Sequence, residues 1–396
     1  MTRYCIDLFS GAGGLSYGLS CAGFDSLYAC EINQTYANTY KKNHAGVPVE
    51  TNDIRKVDAL EVMTSIGLKP YELDLIAGGP PCQGFSINAP VRSNEDQRNH
   101  LFRDYLRFVE VFKPKAVLIE NVPGLVSFEN GATLHDILKS LEDLGYGSNV
   151  RILGAAYYGV PQSRWRTIIL ALRGKELPSY AYPIPTNNAP IKPNFRVHYA
   201  GQSLLELPPQ EATACFTTVE QAIGDLPKIE AGEKYQAGGQ YPGAELSEYQ
   251  RAMRHGSTGI WNHEAAGISN INKERFSFIK PGGNWTDIPI ELLPKGMQRA
   301  KRSDHTKRYG RVKSDDLAST ILTKCDPHWG AFIHYSQDRA FSVREAARIQ
   351  SFPDTYIFTG TLSEQYAQVG NAVPPLLAKA VGLSLMNVLD REFVNE

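Results

Sequence analysis

Short apolar runs alternate with amphipathic segments over the first 173 residues of the chain. The apolar runs predict buried strands at 4–9, 26–29, 73–77, 116–119, 151–153 and 167–172. Apolar residues at helical spacing predict helices at 15–22, 101–112 and 134–144. Strands alternating with helices predict an α/β fold with a doubly wound, mostly parallel sheet, in which ligands bind at the carboxyl ends of the strands.

The pattern changes after residue 177. Five prolines between 178 and 193 predict a domain boundary. Residues 194–340 lack the strand–helix rhythm and are rich in glycine and polar residues, which predicts a smaller, irregular, mostly β second domain. A helical pattern after Pro374 is expected to pack back onto the first domain. We therefore assign 1–185 with 360–396 to one domain, 186–345 to the other, and 346–359 to a hinge.

A glycine-rich turn follows the first predicted strand. Gly11 and Gly13 would let the backbone approach a ligand at the start of the next helix. The turn is not a GxGxxG motif, because Ser16 stands at the third glycine position. Glu31, after the second strand, is placed either to accept hydrogen bonds from ribose hydroxyls or simply as a solvated strand end. Asp53, after the third unit, is placed to reach an adenine amine.

The strand at 73–77 ends in Gly78, Gly79, Pro80 and Pro81, and Cys82 follows. Proline stiffens the backbone, so Cys82 leaves the strand in a defined direction. The residues from Gly84 to about Arg98 predict a loop. This arrangement suits a nucleophile; the alternative is a buried structural thiol.

Charged residues occur at two further apolar strands. Glu120 ends the strand at 116–119, where an unpaired carboxylate is costly, so it is hydrogen-bonded, raised in pKa or functional. Alternation puts Gln162, Arg164 and Arg166 on one side of an extended segment. The alternative for the two arginines is ordinary surface charge.

Composition narrows the class of protein. A hydrophobic fraction of 42% and a charged fraction of 21% over 396 residues are ordinary for a soluble protein of two domains. No run predicts a membrane span or a signal peptide, and the six scattered cysteines form no CxxC pair, so we expect no metal site and a cytoplasmic protein. The net charge is −1, but residues 295–313 carry eight Lys or Arg and one acid. That run is either a nucleic-acid contact or a solvated face.

Taken together, these stretches resemble the cytosine-C5 DNA methyltransferase family. The ordered set covers nearly the whole chain outside the second domain; where that family often has His-Pro, this chain has Tyr335-Ser336. The matching segments are Asp7 to Gly14, Glu31, Asp53, Gly79 to Ser86, Glu120 to Val122, Gln162 to Arg166, Arg344 to Asp354 and Gly370 to Pro374.

The resemblance implies a DNA (cytosine-5)-methyltransferase with covalent catalysis. Cys82 would attack C6 of the cytosine. Glu120 would share a proton with N3, and Arg166 would donate to O2. Arg164 would hold the Cys82 loop or a flanking phosphate.

The resemblance also implies a cofactor, S-adenosylmethionine, converted to S-adenosylhomocysteine, on a Rossmann-like methyltransferase sheet. The residues expected to bind it are Phe9, Gly11, Gly13, Glu31, Ile32, Asp53, Ile54, Gly79, Pro81, Leu101, Asn371 and Ala372.

The implied partner is double-stranded DNA, bound by a monomer, with the target cytosine flipped out and the second domain recognising the site. A bacterial restriction–modification or related defence role is expected, with any cognate endonuclease acting separately. The residues expected to contact DNA are Gln83, Ser86, Arg98, Lys301, Arg302, Lys307, Arg308 and Arg311.

Three different functions remain compatible with the sequence. A tRNA cytosine methyltransferase shares the catalytic motifs, and its recognition domain typically has the Cys-Phe-Thr found at Cys215-Phe216-Thr217. Residues 218–227 instead resemble the opening of bacterial DNA enzymes' recognition domains. The second possibility is an inactive DNA-binding relative, and the third is a dinucleotide-dependent oxidoreductase.

Overall fold

A computed structural model describes residues 2–81, 101–209, 212, 214–303 and 305–394. The chain divides into two compact units. Unit 1 contains Met1–Tyr158, Trp165–Ala214 and Val373–Glu396, and unit 2 contains Gly159–Arg164 and Cys215–Ala372. The predicted hinge at 346–359 lies inside unit 2, and the functional assignment of the predicted domains stays a prediction.

The described residues form the following elements. The strands are β1 Arg3–Leu8, β2 Phe24–Cys30, β3 Val49–Glu50, β4 Leu75–Gly78, β5 Ala116–Asn121, β6 Tyr146–Gly154, β7 Gln162–Ser163, β8 Trp165–Arg173, β9 Asn187–Asn188, β10 His198–Tyr199, β11 Gln202–Ser203, β12 Leu205–Glu206, β13 Ala214–Cys215 and β14 Ala318–Ser319. The helices are α1 Gly14–Cys21, α2 Gln34–Asn43, α3 Ala59–Ser65, α4 Leu101–Phe112, α5 Ala132–Asp143, α6 Val219–Ile223, α7 Glu248–Arg254, α8 Asn270–Ser277, α9 Val343–Ile349, α10 Leu362–Asn371 and α11 Pro375–Glu392. Short 3-10 turns include Ile54–Lys56, Pro123–Val126, Phe128–Gly131, Ala155–Tyr158, Ser179–Ala181, Trp285–Asp287 and Ile290–Leu292.

Unit 1 is built on the predicted doubly wound sheet, which is confirmed. Among the described residues the sheet has eight strands in the order β12-β6-β8-β5-β4-β1-β2-β3. β1 pairs in parallel with both β2 and β4, and β4 pairs in parallel with β5. β8 runs antiparallel between β5 and β6 and is buried along nearly its whole length. The carboxyl ends of β1, β2, β4 and β5 therefore meet at one edge of the sheet.

α11 packs closely on α1, as the sequence predicted for the segment after Pro374. Two glycines make this contact possible. A Cβ at Gly18 would stand 2.4 Å from the Cβ of Ala378, and one at Gly382 would stand 2.7 Å from the Cβ of Ala22. Any larger side chain at either glycine would push the helices apart.

Unit 2 is irregular, with short helices, the two-residue pair of β7 with β14, and isolated bridges. A small apolar cluster supports its central part, formed by Phe276, Ile279, Trp285, Ile288, Leu293, Met297, Tyr309 and Ile333. Buried ion pairs hold α9. Arg348 contacts both Asp225 and Asp354 at 2.6 Å, and Arg339 contacts Glu345 at 2.7 Å.

One prediction about membranes needs correction. Among the described residues, the stretch Leu362–Glu392 contains an 18-residue window whose mean hydropathy, 1.5, is high enough for a membrane span. Most of that window, 61%, is buried inside the protein. The stretch is made of two helices, α10 and α11, separated by Ala372, Val373 and Pro374.

Candidate active site

The glycine turn lies at the carboxyl edge of the sheet and is held by Glu31. The Oε2 atom of Glu31 accepts a hydrogen bond from the Gly11 amide at 2.9 Å, and its Oε1 atom accepts from the Asn33 amide at 2.8 Å. Burial raises the pKa of Glu31, although these two amides oppose the shift. Each carboxylate oxygen has a second lone pair, so Glu31 can position the turn and still accept from a ligand.

The turn itself needs its glycines. Gly11 and Gly13 have φ values of 57° and 94°, in the left-handed region that favours glycine. A Cβ at Gly11 would meet no described atom within 4 Å. The backbone is therefore open to close approach by a ligand at this point. Phe9, which directly follows the first strand, shares the left-handed conformation with φ 63°.

The sequence analysis missed a chain of hydrogen bonds beneath the turn. The Tyr40 hydroxyl donates to Ser16 Oγ at 2.8 Å, and Ser16 Oγ donates to Asp7 Oδ2 at 2.5 Å. Burial raises the pKa of Asp7 to about 7 against the hydrogen bond from Ser16. The buried atoms Asp7 Oδ1 and Ser10 Oγ have no hydrogen-bond partner among the described residues. The sequence signal that could have revealed this chain of hydrogen bonds is Asp7, an acid inside an otherwise apolar predicted strand.

Asp53 and Ile54 lie in a short turn whose polar groups already have hydrogen-bond partners within the protein. Asp53 accepts from the Arg55 amide at 3.0 Å and pairs with the Arg55 guanidinium at 2.5 Å. Ile54 is buried, and its carbonyl accepts from Arg107 of α4 at 2.7 Å. Ile32, directly after Glu31, is instead 64% exposed and leaves an apolar side chain available beside that carboxylate.

Gly79 and Pro80 pass directly beside the end of β5. A Cβ at Gly79 would stand 3.0 Å from Glu120 Oε2, so only glycine leaves this carboxylate undisturbed. The Asn121 side chain donates to the Pro80 carbonyl at 3.2 Å. Tyr105 of α4 ties the two strands together by donating to the carbonyls of Ile76 and Leu118. The backbone that leads toward Cys82 is therefore anchored to the end of β5.

Glu120 and Arg166 form a nearly buried ion pair, as adjacent antiparallel strands β5 and β8 bring them together. The Nε atom of Arg166 lies 2.5 Å from Oε1 of Glu120, and the two side chains are 9% and 12% exposed. Burial raises the pKa of Glu120, with Arg166 opposing, and burial lowers the pKa of Arg166. A carboxyl group that holds its proton beside a guanidinium can donate and also neutralise developing negative charge.

Cys82, Gln83, Ser86 and Arg98 lie outside the described residues, so their roles stay predictions. Pro81 is the last described residue before them, and Leu101 is the first residue of α4; both are partly buried.

Within unit 2, Arg164 is interior rather than ligand-facing. It is 2% exposed and donates to the carbonyls of Ile321 at 3.0 Å, Gly370 at 2.8 Å and Ala372 at 3.2 Å. The predicted contact with a flanking phosphate is therefore wrong, because the guanidinium is enclosed by backbone. Gln162 donates to the Ile349 carbonyl at 2.9 Å and also bonds Gln350.

The segment Gly370 to Ala372 lies at the end of α10 and is held by the side chains of Arg164 and Gln350. Gln350 donates to the Ala372 carbonyl at 2.6 Å, and Arg164 reaches the same carbonyl. A Cβ at Gly370 would stand 2.5 Å from the Leu322 carbonyl. The predicted cofactor contacts of Asn371 and Ala372 stay predictions.

A family model places the chain among known proteins. The model for the C-5 cytosine-specific DNA methylase family matches residues 4–387. The chain belongs to this family. That membership removes the oxidoreductase hypothesis and confirms the resemblance drawn from the ordered motifs.

Two curated relatives of this DNA methylase family member match it over most of their own lengths. The Type II methyltransferase M.AgeI of Thalassovita gelatinovora is 36% identical over 95% of this chain and 97% of its own. The Type II methyltransferase M.DdeI of Desulfomicrobium norvegicum is 38% identical over 95% of this chain and 86% of its own. A crystal structure of a putative DNA modification methyltransferase encoded within an E. coli prophage has the same fold, with a TM-score of 0.73, 24% identity, and coverage of 98% and 100%.

The basic run of this methylase divides into exposed and buried cations. Lys301, Arg302 and Lys307 are exposed, and Arg308 is partly exposed. Arg311 is 6% exposed; its guanidinium donates to the carbonyls of Phe276, Ile279, His334 and Gln337 and also pairs with Asp338. The predicted DNA contact at Arg311 is therefore wrong. It is a structural residue of unit 2.

Proposed function

We propose that this protein transfers a methyl group from S-adenosylmethionine to C5 of a flipped-out cytosine in a specific duplex DNA site. The observation that carries the proposal is the nearly buried Glu120–Arg166 pair beside Gly79, where the pKa of Glu120 is raised. A carboxyl group that is easily protonated suits the N3 atom of a pyrimidine that is gaining electrons.

The glycine-turn region fits an S-adenosylmethionine site. The open approach at Gly11, the buried Asp7 Oδ1 and Ser10 Oγ, which lack a hydrogen-bond partner within the described part of the chain, and the exposed Ile32 offer polar and apolar groups for such a ligand. Glu31 would accept from the ribose hydroxyls, and Phe9, Asp53 and Ile54 would line the adenine. The cofactor supplies the electrophilic methyl group; the other sequence-predicted contacts belong to the same proposal.

Cys82 would act as the nucleophile. Its thiolate forms a bond with C6 of the cytosine, and the C5–C6 π electrons move so that C5 becomes enamine-like. Glu120 gives or shares a proton at N3, and Arg166 donates to O2, so that the displaced charge is neutralised. After C5 has taken the methyl group, with S-adenosylhomocysteine as the leaving group, a base removes the C5 proton, the C6–S bond breaks and the N3 proton returns to Glu120, which restores the aromatic ring and the thiolate.

Arg164 would act as a positioning residue, because its donors are engaged by unit 2 carbonyls. Flipping the cytosine costs a few kcal/mol. Phosphate contacts from exposed cations of the 295–313 run would offset that cost, and the predicted recognition domain would choose the site. A bacterial Type II modification role, a monomer on DNA, a separate endonuclease and a cytoplasmic location complete the proposal.

Methyl transfer from a labelled donor tests the proposal directly. We expect label in unmethylated duplex DNA, with no label in tRNA, and bisulfite sequencing should locate the modified cytosines. Cys82→Ala should abolish turnover while donor binding, measured by thermal stabilisation, stays near wild type. Cys215→Ala is the matched control, because Cys215 is an exposed cysteine in the Cys-Phe-Thr sequence. Label in tRNA alone, or a substantial rate in Cys82→Ala, would overturn the proposal.

A further inference from the structure

Trp329, in unit 2, is the most exposed tryptophan of the chain. Its side chain is 61% exposed, whereas Trp165 and Trp285 are 7% and 1% exposed, and Trp261 is partly buried. A single exposed apolar residue is common on protein surfaces and by itself implies nothing. The surroundings of Trp329 set it apart.

The backbone around Trp329 is tightly held. Its amide donates to the Asp326 carbonyl at 2.9 Å, and the neighbouring Tyr309 amide donates to the Pro327 carbonyl at 2.6 Å. A Cβ at Gly310 would stand 2.5 Å from the Cβ of Ala331, so the two segments leave no room between them. The Ile333 amide donates back to the Gly310 carbonyl at 3.0 Å. The indole is therefore presented by a fixed backbone.

One cation lies over the exposed indole, and two more exposed cations lie close to it in the chain. The guanidinium of Arg308 stands 5.1 Å from the ring centroid, within cation–π range. Lys307, next in the chain, and Lys324, on the segment that leads to Trp329, are both exposed. The acid of this turn, Asp326, is engaged by His328, whose Nδ1 lies 2.7 Å from Oδ1. An aromatic face among exposed positive charges is a combination typical of nucleic-acid surfaces.

We propose that Trp329 and Arg308 form a contact of unit 2 with duplex DNA, in which the indole packs against base edges in a groove of the recognised site. Arg308 and Lys307 supply the positive charge that brings the phosphate backbone to this surface. The inference rests on the proposed function, because duplex DNA is the substrate there. It adds a specificity-determining residue that the charge run did not reveal, since Trp329 lies outside that run.

Duplex binding by matched variants tests this inference. Trp329→Ala should bind a duplex containing the methylated site about tenfold more weakly, the scale of one lost base-edge contact. The ratio of its affinity for this duplex to its affinity for an unrelated duplex should fall. The slope of its log affinity against log salt should be unchanged. Trp329→Phe should recover part of the affinity.

Lys307→Ala should instead lower the slope of log affinity against log salt by about 1. Ile290→Ala, which truncates another exposed apolar residue of unit 2, should behave as wild type.

Intrinsic fluorescence provides a measurement that does not depend on the alanine variant. Duplex DNA should change the tryptophan emission of the wild-type protein, and this change should be lost in Trp329→Phe. Wild-type binding, discrimination and fluorescence response in the Trp329 variants would overturn the inference while leaving methyl transfer intact. If the wild-type protein methylated no DNA, the proposed function would fail, and binding and fluorescence with unmethylated plasmid would still decide the inference.

Discussion

Two buried arginine–glutamate pairs, one in each unit, have opposite electrostatic character. In unit 2, Glu345 accepts from two nitrogens of Arg339, each at 2.7 Å, and also from the Ser342 amide at 2.7 Å. Burial by itself raises the pKa of Glu345, but the charge and hydrogen bonds of Arg339 outweigh it and hold the pKa below its ordinary value. In unit 1, Glu120 has one close contact with a described side chain, at Arg166 Nε, and its pKa is raised.

The difference lies in how many donors each carboxylate receives. Glu345 is clamped on both oxygens, so it is locked in its charged form and caps α9. Among the described residues, Arg166 contacts Oε1 of Glu120, and Gly79, which has no side chain, leaves space beside Oε2. The same two residue types therefore build a structural pair in one unit and a pair suited to proton transfer in the other. Counting donors to the carboxylate separates the two cases.

Replacement of the unit 1 glutamate should produce the largest effect. Glu120→Gln keeps the size of the side chain but removes its ionisable carboxyl group. We expect kcat to fall by about 10²–10⁴, the usual contribution of a general acid. Labelled-methyl transfer under saturating DNA and donor measures the change. A rate within a factor of two of wild type would contradict the assignment of Glu120 to the chemistry.

Replacement of the unit 2 glutamate should act on stability instead. Glu345→Gln leaves Arg339 buried without a countercharge, which typically costs about 3–5 kcal/mol. Urea unfolding measures the loss. The comparison predicts that Glu120→Gln lowers the free energy of unfolding by less, because Glu120 has fewer hydrogen bonds to lose. Equal losses in the two variants would show that donor number does not distinguish the pairs.

The smallest expected effect is on the pH dependence of stability, and its sign differs between the pairs. Because the folded pKa of Glu345 is lowered, its stabilising contribution is present above the ordinary pKa of about 4.3 and is lost as the pH falls below it. Because the folded pKa of Glu120 is raised, its contribution is present below about 4.3 and is lost as the pH rises through the raised value. Urea unfolding of wild type and both glutamine variants at several pH values should therefore give difference curves of opposite slope. Curves of the same sign would break the comparison.

The sequence by itself determined the sheet and the residues at its carboxyl edge. Gly11, Glu31, Gly79 and Glu120 each end or follow an apolar run, and parallel strands bring such ends together regardless of the remaining side chains. The pairing of Glu120 with Arg166 is different, because it depends on β8 lying antiparallel beside β5, which strand patterning does not reveal. The period of a strand is a local signal that survives folding, so these strand ends were predictable.

Only the tertiary structure decided which charged residues face inward. Arg164 and Arg311 look like surface cations in the sequence, yet backbone carbonyls from distant segments enclose both guanidiniums. The Asp7, Ser16 and Tyr40 chain and the outward Trp329 were missed for the same reason. In an irregular segment no period relates sequence position to depth, so burial depends on contacts between residues far apart in the chain.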